Sequence, residues 1–337
     1  MEYTNVPGTD KKASRIGIGG WPIGGFMWGG NDDKEANRMI HTTLDQGVTV
    51  FDTANDYGFG HSEKLMGQAL KESGKRKDVI LSAKSALNWE GDTIYRDGTK
   101  ERVLSELDES LKRLQTDYLD VYFVHWPDPA VPIEETAEAM KIHYDQGKIK
   151  AIGVSNLFVH QMKSFQQIAP IHAIQPPYNL FERGAEKDIF PYSKEIGATL
   201  YLYSSLCRGL LSGKMTQNRQ FADGDMRKDK DPKFQEPLFD QYLAAADKLD
   251  AFVKNAYGRP LIDLAVRYVL DQSATGIALR GVRRPEQLET LNRIDGWKLT
   301  DDDKNEIERI LVETIKEPLQ PDFMAPPLKK EVIGNEK

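Results

Sequence analysis

With a single cysteine, Cys207, among its 337 residues, the chain has no internal disulfide. That usage suits a reducing compartment, so a cytoplasmic protein is expected. Histidine is also scarce. There are six, none spaced as HxH or HExxH, and one thiol is too few for a structural zinc site, so no metal is expected. No apolar run approaches the roughly 18 residues that a membrane span needs. The first 15 residues, MEYTNVPGTDKKASR, contain no apolar h-region, so no secretory signal and no membrane partner are expected. Positive charge is not in excess. A net charge of −7 repels phosphate backbones, so no nucleic-acid partner is expected. No heptad and no large exposed apolar face stand out, so a monomer is expected.

What the chain does have is one pattern, repeated. Short apolar runs alternate with amphipathic stretches of helical period. The runs fall at 14–20, 48–54, 78–84, 118–125, 150–155, 172–175, 199–204 and 276–280. Stretches such as SEKLMGQALKESG and RVLSELDESLKRL lie between them, and several end at glycine, as at Gly47, Gly74 and Gly147. Strand–helix alternation with short links implies right-handed crossovers and a parallel sheet. Eight such units predict an α/β fold, a closed (β/α)8 TIM barrel, as one domain over residues 1–337. A doubly wound open sheet competes, but the units show no break in composition and no linker. After the seventh run the rhythm fails for about 30 residues, from Ser205 to Pro237, which predicts a lid loop. An extra helix over LFDQYLAAADKLDAFVKNA follows it. The Pro-rich tail is expected to be extended, and its last ten residues disordered.

In such a barrel the chemistry gathers at the C-terminal strand ends. Read in order, those ends carry Asp52 with Tyr57 in its loop, then Lys84, His125, Ser155 with Asn156, Gln175, and Tyr203 with Ser204. One polar residue capping an apolar run is an ordinary solvated edge, and a buried Asp–Lys pair is also an ordinary structural ion pair. Polar residues at six successive strand ends on one rim point to a site. A tyrosine keeps its proton at neutral pH, and to donate it the phenolate must be stabilised. A lysine does so by charge, and a buried lysine needs a carboxylate to stay charged. Asp52, Lys84, Tyr57 and His125 thus form a general-acid assembly for an oxygen that gains negative charge, such as a carbonyl under reduction.

These residues sit in motifs (FDTANDYGFGHSE, LSAKSA, VHWP, IGVSN, IQPPYN, YSSLCRGLLSGK and GVRRPEQLE) over which the chain, from Ser14 to about Pro327, resembles the aldo-keto reductases. Within that family it is most similar to the bacterial general stress protein branch, which implies a role in stress response. The resemblance places the catalytic tetrad on Tyr57, Asp52, Lys84 and His125. Tyr57 is the implied proton donor, Lys84 and Asp52 its tuning pair, and His125 the substrate-orienting partner. It implies an NADP(H) cofactor whose nicotinamide carboxamide meets Ser155, Asn156 and Gln175, with Tyr203 stacked on the ring. It implies an oxidoreductase that reduces aldehydes and ketones to alcohols.

The cofactor's phosphates need cations and backbone N–H groups. The stretch after strand seven offers Ser204, Ser205, Leu206, Cys207, Arg208 and Lys214, and the lid offers Arg227. After strand eight come Arg280, Gly281, Val282, Arg283 and Arg284 at an expected helix start, with Gln287 one turn in. Arginines at a helix N-terminus suit a 2′-phosphate, which favours NADP over NAD. Leu291 stands where the family more often has an asparagine, so one adenine contact is missing. Gly20 and Trp21, after strand one, are expected to border the ligand. RIGIGGWPIGG does not spell GxGxxG, and GLLSGKM departs from a P-loop in spacing and in Met215. Cys207 is expected to be a buried apolar residue, not a redox switch. Trp21, Trp28, Trp89, Trp126 and Phe59 are candidates for an aromatic wall, which favours small or aromatic aldehydes over charged sugars as the small-molecule carbonyl substrate. Two other classes compete: an NADP-binding regulatory subunit with slow turnover, and a metal-dependent barrel hydrolase or aldolase, which needs carboxylate or histidine pairs that the strand ends lack, or Lys84 as a Schiff base.

Overall fold

The computed structural model describes residues 1–288 and 291–334. Its centre is a closed barrel of eight parallel strands: β1 (Ile16–Gly19), β2 (Val50–Asp52), β3 (Ile80–Ser85), β4 (Leu119–Val124), β5 (Ile149–Ser155), β6 (Ala173–Gln175), β7 (Thr199–Leu202) and β8 (Ile277–Gly281). The barrel closes where β8 pairs with β1, Arg280 opposite Ile18 and Gly281 opposite Gly19. All eight predicted runs are barrel strands, and the open sheet is excluded.

Two apolar layers explain why. Inside the barrel Val50, Ile80, Val121, Phe123, Tyr201 and Ile277 pack into a plug. Side chains on the alternate face meet the surrounding helices in a second, larger cluster. Strands buried on both faces read as continuous apolar runs. Helix α3 (Lys100–Leu114), the third after α1 (Asp33–Asp45) and α2 (His61–Ser73), shows the helical logic. Thr99 caps it by accepting from the Arg102 amide, and Val103, Leu107, Leu111 and Leu114 face inward at three- and four-residue spacing. Gly74 closes α2 with φ 67°, a left-handed conformation that glycine adopts at no steric cost.

Three features depart from the expectations. A hairpin, Leu87–Glu90 with Thr93–Arg96, follows β3. Its E-G-D turn between alternating residues is the signal for it. The stretch after β7 is structured by 3-10 turns (Cys207–Ser212 and Pro232–Phe234) and a helical turn, Met226–Asp229. A buried ionic cluster ties it down. Arg208 reaches Glu182 and Asp231, each at 2.5 Å, and Lys233 reaches Glu182 at 2.9 Å. The anticipated helix then spans Leu238–Tyr257. The tail is held as well. Pro327 accepts from the Arg96 amide at 3.0 Å, Arg96 Nε donates to Pro326 at 2.6 Å, and Lys329–Val332 forms a helical turn. Of the last ten residues, expected to be disordered, Leu328 bridges to Arg96 of the hairpin and Lys329 Nζ lies 3.8 Å from Asp97 Oδ2. Residues 335–337 lie outside the described residues.

Candidate active site

The predicted rim assembles at one mouth of the barrel. Asp52, the last residue of β2, is 2% exposed, and Lys84 of β3 is fully buried at 0%. Lys84 Nζ donates to Asp52 Oδ2 at 2.6 Å and to the Thr53 carbonyl at 2.9 Å. Asp52 Oδ1 also accepts from Ser82 Oγ at 2.7 Å and Gln175 Nε2 at 3.1 Å. The carboxylate is thus fully coordinated. The Lys84 ammonium has used two of its three N–H donors and lies 4.9 Å from the centroid of the Tyr57 ring. His125 meets the same ring edge-on, centroids 5.7 Å apart. The Tyr57 hydroxyl has no hydrogen-bond partner among the described residues. Burial, and then the charges of Asp52 and Asp56, push this phenol well above its ordinary value, so it holds its proton at neutral pH.

Two cavities meet at Tyr57. One, about 400 Å³, has His125, Trp126 and Asn156 in its floor and Phe26, Met27 and the tail residues Phe323–Pro327 in its walls. The other, about 290 Å³, runs past Ser204, Ser205 and Leu206 towards Lys214, Arg219, Arg227, Gly281, Arg283 and Gln287. Trp21, Tyr57, Gln175 and Tyr203 line both.

Between the cavities the side-chain amides are already set. Asn156 Nδ2 donates to the His125 carbonyl at 2.9 Å, and its Oδ1 accepts from the Tyr203 hydroxyl at 2.9 Å. Ser155 Oγ donates to the Gln175 carbonyl at 2.8 Å. Asn156 and Ser204 both have φ 59°, a backbone strain of the kind that collects at ligand sites. In the second cavity, burial and the like charges of Arg227, Arg284 and Arg219 lower the Arg283 guanidinium, although Asp225 opposes them. Half-buried Arg283, exposed Arg219 and Lys214, and Arg227, which pairs with Asp225 at 2.6 Å, line this cavity, so cationic side chains outnumber the carboxylate beside them. That excess, in a cleft continuous with the carbonyl site, fits the phosphates of a dinucleotide.

Several expected ligand residues are placed elsewhere. Gly20 lines neither cavity: a Cβ there would meet Ser62 Oγ at 2.5 Å, so this glycine lets the chain pass α2. Arg208 does line the second cavity, but its guanidinium is paired with Glu182 and Asp231. Cys207 is fully buried behind it, and burial pushes its thiol up. Arg280 and Val282 point into the core, at 1% exposure each, and Arg280 donates to the Gln287 carbonyl. The expected helix start is a 3-10 turn, Pro285–Leu288, and Gln287 Oε1 accepts from the amides of Arg283 and Arg284, because its side chain folds back on them. Leu291 is a core residue. Of the proposed aromatic wall, Trp21 and Trp126 line the first cavity and Trp28 the second. Phe59 and Trp89 pack on each other, ring centroids 5.7 Å apart, outside both. Sequence reasoning missed Arg219, Asp56, Lys230 and the tail as lining groups. Asp56 adjoins Tyr57 and was open to a local reading, whereas the others are brought there by contacts distant in sequence.

A closed parallel barrel whose rim joins Asp, Lys, Tyr and His beneath two confluent cavities is the frame of a carbonyl-reducing barrel enzyme. The chain belongs to the aldo/keto reductase family, whose model matches residues 15–312. It is 54% identical to the aldo-keto reductase YhdN of Bacillus subtilis (strain 168), over 98% of this chain and 100% of that one. It is 33% identical to the NADH-specific methylglyoxal reductase of Escherichia coli (strain K12), over 83% of this chain and 89% of the relative. Among solved structures, the glycerol dehydrogenase AKR11B4 from Gluconobacter oxydans is similar with a TM-score of 0.86 at 43% identity, covering 96% of this chain and 99% of that one. The chain is accordingly an oxidoreductase of a family that reduces carbonyls with NADH or NADPH. No described helix is long and apolar enough to cross a membrane.

Proposed function

We propose that the protein is an NADPH-dependent reductase of small or aromatic aldehydes, with Tyr57 as proton donor. The observation that carries the reading is the position of Tyr57, in the wall common to both cavities and beside the Lys84–Asp52 pair.

The substrate occupies the first cavity, whose walls are mainly apolar and aromatic (Trp21, Phe26, Trp126, Phe323) and suit an uncharged aldehyde. Tyr57 gives its proton to the carbonyl oxygen. The Lys84 charge lowers the energy of the phenolate left behind, and Asp52 keeps Lys84 charged and in place. That pairing also makes Lys84 a poor amine nucleophile, which disfavours Schiff-base chemistry. Asn156, Ser155 and Gln175 present amide and hydroxyl groups to a nicotinamide, Tyr203 its ring, and Arg283, Arg227, Arg219 and Lys214 meet the phosphates. When bound, the reduced nicotinamide supplies hydride. The arginine excess favours NADPH, with its extra phosphate, over the NADH used by the Escherichia coli relative. The protein acts in the cytoplasm as a monomer. In support, the large apolar side chains exposed among the described residues are Tyr3, Phe158 and Val312, which form no common sequence segment.

The test follows NADPH oxidation with a panel of aldehydes. Tyr57→Phe removes only the hydroxyl and is expected to lower kcat about 10²- to 10⁴-fold while NADPH still binds. Undiminished turnover in that variant would refute the assignment.

A further inference from the structure

Next to Tyr57 the chain buries a second carboxylate that the tetrad does not use. Asp56 is 8% exposed, in the turn between β2 and α2. An aspartate in a turn ordinarily turns its carboxylate back on nearby backbone N–H groups. Asp56 makes no such bond among the described residues. Its Oδ1 lies 3.0 Å from Nδ1 of His125 instead.

Both atoms are buried, and neither meets hydrogen-bond geometry with any partner, each other included. The 3.0 Å contact between two otherwise orphaned polar atoms is therefore an ion pair by distance, without hydrogen-bond geometry. Buried polar groups are rarely left unpaired, and neither atom has an alternative. The carboxylates behind Asp56 are already matched. Glu63 pairs with Arg113 at 2.5 Å and Glu106 with Arg102 at 3.0 Å. Within ion-pair reach, Asp56 has only His125 among the described residues.

We propose that Asp56 is a positioning residue that holds His125 as an imidazolium, with Nδ1–H given to the carboxylate and Nε2–H directed at the substrate's carbonyl oxygen. An imidazole can donate from both nitrogens only when protonated. Nε2 has no partner among the described residues, and His125 lines the substrate cavity. Charge balance supports the arrangement. Two pairs adjoin Tyr57: Lys84 with Asp52, its ammonium 4.9 Å from the ring centroid, and His125 with Asp56, its ring centroid 5.7 Å away. Each pair is neutral, so a second cation beside Lys84 carries no net cost in buried charge. The other titratable groups around His125 are Tyr57 from the loop that carries Asp56, Lys84 beside that ring, and Asp92, Lys230 and Tyr203 lining the same cavity, with Asp128 three residues on in sequence. Asp128 is engaged with the amides of Gly98 and Ala130, and Lys230 is exposed. Asp56 thus dominates the field at Nδ1.

The inference rests on the reductase reading only for its kinetic arm. The first arm uses cofactor-free protein. Ring ¹⁵N resonances of histidine are followed against pH in the wild type, Asp56→Asn and His125→Gln, the last identifying the His125 signals among the six histidines. Both ring nitrogens of His125 are expected to stay protonated to higher pH in the wild type, the midpoint in Asp56→Asn lying lower by at least about one pH unit. Equal midpoints would overturn the proposal. So would a wild-type His125 whose Nδ1 carries no proton, a result that holds even if Asp56→Asn does not fold.

In the second arm, the alkaline limb of kcat for aldehyde reduction moves to lower pH in Asp56→Asn, and Asp56→Asn adds no further loss in a His125→Gln background. Independent, multiplying losses would show that Asp56 does not act through His125. If the wild type reduces no carbonyl, the reductase reading fails, and the ring titration still decides the dyad.

Discussion

Replacing Lys84 by methionine removes the ammonium and keeps nearly all of the side chain's volume, so little cavity is left. It strands Asp52, which is 2% exposed. Breaking a buried pair by deleting one partner costs about 3–5 kcal/mol, because the other charge stays desolvated. Asp52 keeps the hydrogen bonds from Ser82 and Gln175, so the lower end of that range applies, about 3 kcal/mol. With roughly 2.1 cal/mol/K of unfolding entropy per residue, a chain of 337 residues has about 0.7 kcal/mol/K in all. The variant should then melt about 4 °C below the wild type. Calorimetry or tryptophan fluorescence reads the shift directly. The double variant Lys84→Met/Asp52→Asn no longer buries an unmatched charge and should recover at least half of the loss. If Lys84→Met melts with the wild type, or the double variant loses as much as its two singles added together, Asp52 and Lys84 are not a mutually dependent pair and the tuning role of Lys84 fails with it.

Two further outcomes follow from the charged clusters. Burial raises the Glu182 carboxyl, but Arg208 and Lys233 overcome this and pull it down to about 2 from 4.5. A carboxyl lowered on folding contributes stability that is fully present above its unfolded value and is lost as pH falls from about 4.5 to about 2, on the order of 3 kcal/mol. Glu182→Gln should therefore be less stable than the wild type at pH 7, with the difference shrinking across that window in acid melts. Arg283→Ala should raise the KM for NADPH about 10- to 100-fold, the worth of one charge-assisted contact, and change that for NADH much less. An equal change for both cofactors would remove the 2′-phosphate from this arginine.

The barrel was legible because each strand is a run buried on both faces, bounded by turn residues, and the rim because a polar residue ends each run. Asp52, Lys84, Tyr57 and His125 are all such local events. The corrections share a cause. Arg208 looks like a phosphate ligand as long as Glu182 and Asp231, 26 and 23 positions away, are not known to meet it. Gly20 reads as a ligand-facing glycine until Ser62 is seen to stand against it. Asp56 passes for an ordinary turn aspartate until His125 is brought to 3.0 Å from 69 residues further along. Periodicity reports which face of an element is apolar, but it does not report which distant partner a charge will find.

The order in which the site is completed during synthesis is set by the tail. The last barrel strand ends at Gly281, but one wall of the substrate cavity is Phe323–Pro327, seated against a hairpin from the first third of the chain. As the chain leaves the ribosome, the whole tetrad is present before that wall arrives. A chain cut short near residue 315 would keep the proposed catalytic rim but lose the cavity wall formed by Phe323–Pro327. The same separation puts the proposed chemistry and one wall of the cavity above it on segments far apart in the chain.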